Sequence, residues 1–138
     1  MIQELEIRAR HVAGLQFTAE TETGHTVTLD THEHNMGVSP MEMLLISLAG
    51  CSGISIISIL QKKQQNVTHY EVRVHGKRAE THPQVFTEII VEHIFTGHNI
   101  SPVAIERAIE LAETRYCSVS VMLSTVVQLQ HTYHIIEA

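Results

Sequence analysis

The chain has 138 residues, 43% of them hydrophobic, which is enough for one domain, residues 1–138, with a real core. A formal charge of -6, with 11 histidines counted neutral, argues against the basic face that a phosphate backbone requires, so no nucleic-acid partner is expected. The 2 cysteines are too few for a disulfide scaffold, and the opening "MIQELEIRAR" alternates acidic and apolar residues without the cationic and apolar regions of a secretory signal, so a cytoplasmic protein is expected.

The N-terminal third predicts three strands. Leu5, Ile7 and Ala9 alternate with charged residues; Leu15, Phe17 and Ala19 with Gln16, Thr18 and Glu20; Val27 and Leu29 with Thr26, Thr28 and Asp30. Gly14 and the "ETG" at 22–24 supply turns, which gives a meander with one wet face. Residues 31–38, "THEHNMGV", read as a loop. A long helix follows, with Ser39 as N-cap, Pro40 in the first helical position and Glu42 closing a capping box, and it runs to about Lys63. "HYEVRVHG" and "QVFTEIIVEHIFTG" read as strands around the "ETHP" turn. Ser101-Pro102 repeats the cap signal for a second helix with Ile105, Ala108, Ile109 and Ala112 as its apolar stripe. That helix breaks near Tyr116 and Cys117, a short helical turn follows at "SVSVMLS", and "VVQLQHTYHII" is the last strand. This order lacks regular strand–helix–strand alternation and predicts an α+β fold with antiparallel sheet.

The segment from Met43 to Leu60 carries no charge. Glu42 at one end, with serines and glycines inside, makes it a marginal membrane span, and it reads better as a helix buried on all sides; no membrane association is expected. At 100° per residue Ser47, Cys51, Ser55 and Ser58 form one narrow stripe, opposite Leu45, Leu48, Ile56, Ile59 and Leu60. The small residues allow another helix close approach, and a second subunit would supply cover that one small domain lacks. A buried cysteine in such a stripe is most often just a small hydrophobe. Cys51 lies beyond reach of the helix dipole, whereas Cys117 follows Arg115 at the start of a helical turn, where amides stabilise a thiolate; electrostatics alone ranks Cys117 as the more reactive.

"SPMEMLLISLAGCSG", the following "ISIISILQKK" and "AETRYCSVSVML" together resemble the two cysteine motifs of the OsmC/Ohr superfamily, and most closely its YhfA-like branch. The likeness extends over nearly the whole chain. It implies an OsmC-like fold in which antiparallel sheets wrap two central helices of an intertwined homodimer. It also implies a thiol-dependent reduction of organic hydroperoxides in oxidative-stress defence, with Cys51 as the peroxidatic thiolate and Cys117 as the resolving thiol, no resident cofactor or metal, and an external dithiol as reductant. Characterised members carry a glutamate directly after the motif proline and an arginine in the early strands. Here Met41 follows Pro40, Glu42 comes one residue late, and no arginine stands near Leu15 and Gln16. Glu42 is therefore a catalytic candidate and, equally, a plain helix cap, while Arg8, Arg10, Arg115 or a histidine could stand in for the arginine.

Those departures sustain a different class of function, a non-catalytic member that binds a small apolar ligand at the dimer interface. A third reading is metal binding by His32 and His34, which flank Glu33, together with Cys51; the lack of tight ligand spacing favours a solvated loop. His69, His75, His93, His131 and His134 fall on strands and read as surface or sheet residues.

Overall fold

In the computed structural model, which describes residues 3–138, the alternating N-terminal segments become strands β1 (Ile7–Ala13), β2 (Gln16–Thr21) and β3 (Thr26–Leu29). They form an antiparallel sheet in the order β1-β2-β3, with Ala9 opposite Ala19 and Phe17 opposite Leu29. Gly14 and Gly24 turn the chain at φ 55° and 91°, values that cost a side chain dearly and glycine little. The wet and dry faces expected of this meander are only partly realised: Ala19 is buried, but β1 is exposed along its whole length, and Ile7, Val12, Leu15 and Phe17 stay open. The loop after β3 is held by the buried Asp30 carboxylate, which accepts the amides of Thr31 at 2.7 Å and Met36 at 3.2 Å. These elements belong to a compact unit that ends at Leu44.

The helix α1 (Pro40–Lys62) begins where the sequence places it. The Ser39 hydroxyl accepts the amide of Glu42 at 3.2 Å, and the Glu42 carboxylate accepts the amide of Ser39 at 3.0 Å, which completes the capping box. The second compact unit runs from Leu45 to the C-terminus. It contains most of α1, then β4 (Asn66–Arg78), β5 (Phe86–His98), α2 (Pro102–Leu111), a π-helical turn (Ala112–Tyr116), α3 (Ser118–Leu123) and β6 (Gln128–Glu137). The Ser101 hydroxyl caps α2 by accepting the amide of Ala104.

The three-stranded sheet of this unit has the order β4-β5-β6. β4 and β5 are antiparallel, but β6 lies parallel to β5, with Glu88 opposite Gln128 and Gly97 opposite Glu137. The sheet is thus mixed, where the sequence suggested antiparallel pairing alone. α2 and α3 intervene between β5 and β6, and a helical crossover of that kind lets the next strand run in the same direction. β5 is the central strand. Ile89, Val91, His93 and Phe95 on its inner row are fully buried. Leu48, Ile56 and Leu60 of α1 and Ile105 and Ala108 of α2 are fully buried in the same unit, and each large side chain removed from water stabilises it by about 1.5–3 kcal/mol. Gly53 brings α1 near β4: a Cβ there would lie 3.5 Å from Val72 and 3.9 Å from Tyr70.

The rotation of α1 differs from the sequence expectation. Leu48, Ile56 and Leu60 face inward as expected, joined by Ser52. The uncovered face, however, is Ile46, Gly50 and Ile54, with Ile46 52% and Ile54 71% exposed. The Ser47, Cys51, Ser55, Ser58 stripe lies half-buried on its flank. A helix apolar on every side carries no mark of which side meets the sheet; the shape of the sheet decides. By length and composition α1, with a hydropathy of 2.2, could cross a bilayer, yet its inner row is closed within the chain's own core.

Candidate functional site: a cysteine pair beside a buried histidine chain

The π-helical turn delivers Cys117. Its amide donates to the Ala112 carbonyl at 2.8 Å, five residues back, and the backbone then extends to φ −89° and ψ 97°. That conformation makes Cys117 the N-cap of α3, and its Sγ accepts the amide of Ser120 at 3.3 Å, as a serine hydroxyl would. The side chain is fully buried. Both cysteines are free, and Cys51, half-buried on α1, hydrogen-bonds the Cys117 thiol. The fold thus joins two thiols that the sequence sets far apart.

Burial pushes the Cys117 thiol up to about 11; the hydrogen bond with Cys51 and the charge that forms on Cys51 add to this, and the amides of Ser120 and Val119 offset only part of it. The amide donors foreseen from the helix start are present, but desolvation and the neighbouring thiol outweigh them. Cys117 is therefore held protonated at neutral pH, where the helix start and Arg115 lead one to expect a stabilised thiolate.

Glu42 lies in the first turn of α1 with its carboxylate engaged by Ser39, and those hydrogen bonds hold it below the usual carboxylate range. Arg115 stacks over the Tyr116 ring at 5.8 Å. Arg10 pairs with Glu20 at 3.6 Å in the first sheet, and Arg8 lies beside Glu6 and Glu22. Beside the stripe that carries Cys51, a recess of about 540 Å³ is bounded by Ile54, Ser55, Ser58 and Ile59 of α1, by Leu111 and Tyr116, and by Lys62 and Lys63.

All five histidines expected on strands lie there, two of them on the buried face of the sheet. His69, His75 and His134 are surface residues as expected, with His134 paired to Glu92 at 3.1 Å. His93 is fully buried, and the His131 side chain is 1% exposed. Tyr70 Oη lies 2.7 Å from His93 Nδ1, His93 Nε2 2.9 Å from His131 Nδ1, and His131 Nε2 3.4 Å from the buried Ser120 hydroxyl. Ser120 is the residue whose amide meets Cys117. Strand register explains the line: Tyr70 pairs with Phe95 and His131 with Val91, so both share the inner face of His93 and step diagonally across the sheet. The sequence carried the signal, since His93 alternates in phase with Val91 and Phe95, and His131 with Leu129 and Tyr133. Burial lowers His93 to about 3 and His131 to about 4, so both are neutral at physiological pH.

His32 and His34 are exposed, and among the described residues no group of three or more histidine, cysteine or acidic side chains is assembled to hold a metal ion.

The model of the OsmC-like protein family matches residues 32–132. Protein YhfA of Escherichia coli strain K12 is 38% identical over 134 residues, which cover 97% of this chain and 100% of that protein. A hypothetical protein from Aquifex aeolicus VF5 has a crystal structure that superposes with a TM-score of 0.90 at 28% identity, covering 99% of each chain. The organic hydroperoxide resistance protein OhrB of Bacillus subtilis superposes with a TM-score of 0.65 at 14% identity, over 96% of this chain and 98% of its own, a likeness of fold.

Proposed function

This chain belongs to the OsmC-like protein family, and from that premise we propose that it is a cytoplasmic, thiol-dependent peroxidase that reduces organic hydroperoxides in oxidative-stress defence. The observation that carries the reading is the hydrogen-bonded pair of free thiols, of which Cys117 is held protonated. The family resemblance gives the first attack to Cys51, and a protonated Cys117 suits the resolving role. The Cys51 thiolate attacks one peroxide oxygen, the O–O bond breaks, and the alkoxide leaves and takes a proton to become an alcohol, with Cys51 oxidised to sulfenic acid. Cys117 then attacks that sulfur: the S–S bond forms, the S–O bond breaks, and the hydroxyl leaves as water with the proton that Cys117 gives up. An external dithiol reduces the disulfide. The recess along Ser55, Ile59 and Leu111 offers apolar room for the organic group.

The exposed Ile46, Gly50 and Ile54 face supports a homodimer built through α1, since a bare apolar helix face is costly in water. Ile54→Lys should leave the fold intact and yield monomers by light scattering; a dimer unchanged at micromolar concentration would exclude this face as the interface. The recess also supports a second reading, the binding of a small apolar ligand without catalysis.

Intact-mass analysis after one equivalent of cumene hydroperoxide, with and without a dithiol, separates the two. The peroxidase loses two hydrogens and recovers them with dithiol, Cys117→Ser accumulates a dimedone-reactive sulfenic acid at Cys51, and Cys51→Ser consumes no peroxide. A wild-type mass unchanged by excess peroxide would favour the ligand-binding reading.

A further inference from the structure

A buried line of polar groups through an apolar sheet face is costly unless each member is paired, and here each is. Tyr70, His93, His131 and Ser120 come from β4, β5, β6 and α3, and the line ends on the residue that donates to the Cys117 sulfur. The two imidazole rings stack 5.2 Å apart at 7°. Tyr70 stacks on Phe95 with ring centroids 4.5 Å apart, so the far end is also fixed.

The direction of the line follows from counting protons. A neutral imidazole has one N–H, and the bond between the two rings uses one. Either Tyr70 donates to His93, His93 to His131 and His131 to Ser120, or every bond runs in reverse. The Glu113 carboxylate, 3.9 Å from His131 Nε2, selects the first, because it favours a proton on the nitrogen that faces it. His131 Nε2–H then holds the Ser120 hydroxyl.

We propose that His131, with its tautomer selected by Glu113 and matched by His93 and Tyr70, is a positioning residue for Cys117: it anchors Ser120 so that the Ser120 amide is aimed at the Cys117 sulfur as that thiol becomes the attacking thiolate. Cys117 touches the reacting sulfur and His131 does not; its effect passes through the first turn of α3. Asparagine at 131 would present a group near the Nδ1 side of the imidazole, toward His93, whereas glutamine would present a donor near Nε2, toward Ser120. The two substitutions therefore test which contact matters. The role in disulfide formation rests on the peroxidase reading, but the effect on Cys117 does not.

The test is the pH profile of Cys117 alkylation by iodoacetamide in a Cys51→Ser background, which needs no peroxide. Adding His131→Asn should slow alkylation about tenfold at a given pH and move the midpoint up by about one unit, because a hydrogen bond to the thiolate is lost. Adding His131→Gln should restore most of the rate. Ser120→Ala keeps the amide but removes the anchored hydroxyl, and should shift the profile the same way even if histidine variants fold poorly. In wild-type background the same substitutions should slow disulfide formation and leave sulfenic acid formation at Cys51 unchanged. Folded His131→Asn and Ser120→Ala proteins with an unshifted alkylation profile would overturn the inference. A shifted profile in a protein that forms no sulfenic acid would keep the positioning role and reject the peroxidase.

Discussion

The Cys117 sulfur accepts the Ser120 amide at 3.3 Å while burial and the Cys51 thiol hold Cys117 up at about 11. The cap geometry of a reactive cysteine is thus present without its usual acidity. In the reduced wild type, alkylation of Cys117 should rise about tenfold per pH unit through the range above neutrality, since only the thiolate reacts. The midpoint should fall below about 11 in Cys51→Ser, because both the hydrogen bond and the charge of Cys51 act to raise it. Peptide mapping after timed alkylation reads both profiles, and a midpoint that rises in Cys51→Ser would contradict the assigned cause.

Acid should act on the buried histidines. Their folded values, about 3 for His93 and about 4 for His131, lie below the ordinary 6.5 of an unfolded chain, so unfolding takes up protons as the pH falls. The stability they confer is fully present above 6.5 and is lost as pH falls from there to about 4 for His131 and about 3 for His93. With both groups titrating, the slope approaches about 2–3 kcal/mol per pH unit. Urea midpoints between about pH 7 and about pH 5 should drop steeply. They should drop as steeply in His69→Gln, which alters an exposed strand histidine. A flat midpoint over that range would show that the pair is charged in the folded state.

Ser52 sits in the inward row of α1 between Leu48 and Ile56, fully buried, and its hydroxyl has no hydrogen-bond partner among the described residues. An unmet hydroxyl costs about 1–3 kcal/mol, and alanine has the better helix propensity. Ser52→Ala should raise stability by about 1 kcal/mol, visible as a higher urea midpoint at unchanged slope. A loss of stability would reveal a partner that the hydroxyl holds in solution.

Glu42 is held by Ser39 on both sides of the capping box. Glutamine can make the same bond, so Glu42→Gln should melt close to wild type, while Ser39→Ala should lose about 1 kcal/mol. Stopped-flow oxidation of the thiols discriminates the catalytic role: a large slowing in Glu42→Gln at unchanged melting temperature would assign its charge to the chemistry, and an unchanged rate would leave it a cap.

Local signals set most of the elements in the sequence itself. Ser39-Pro40 and Ser101-Pro102 mark helix starts because capping and the proline ring act within a few residues, and both helices begin there. Period-two alternation marks β5 and β6 for the same reason, and the cysteine motifs carried the family. What the chain could not reveal by itself depends on groups distant in sequence. The rotation of α1 is set by the sheet it packs on, so a helix apolar all round left its bare face, Ile46, Gly50 and Ile54, undetermined. The parallel pairing of β6 depends on where two intervening helices return the chain. The weak acidity of Cys117 depends on burial and on its meeting with Cys51, and desolvation is a property of the folded core alone. His93 and His131 read as surface or sheet residues, and only the register of three strands aligned them with Tyr70 and Ser120, because a hydrogen-bonded line across a sheet exists only once its strands are paired.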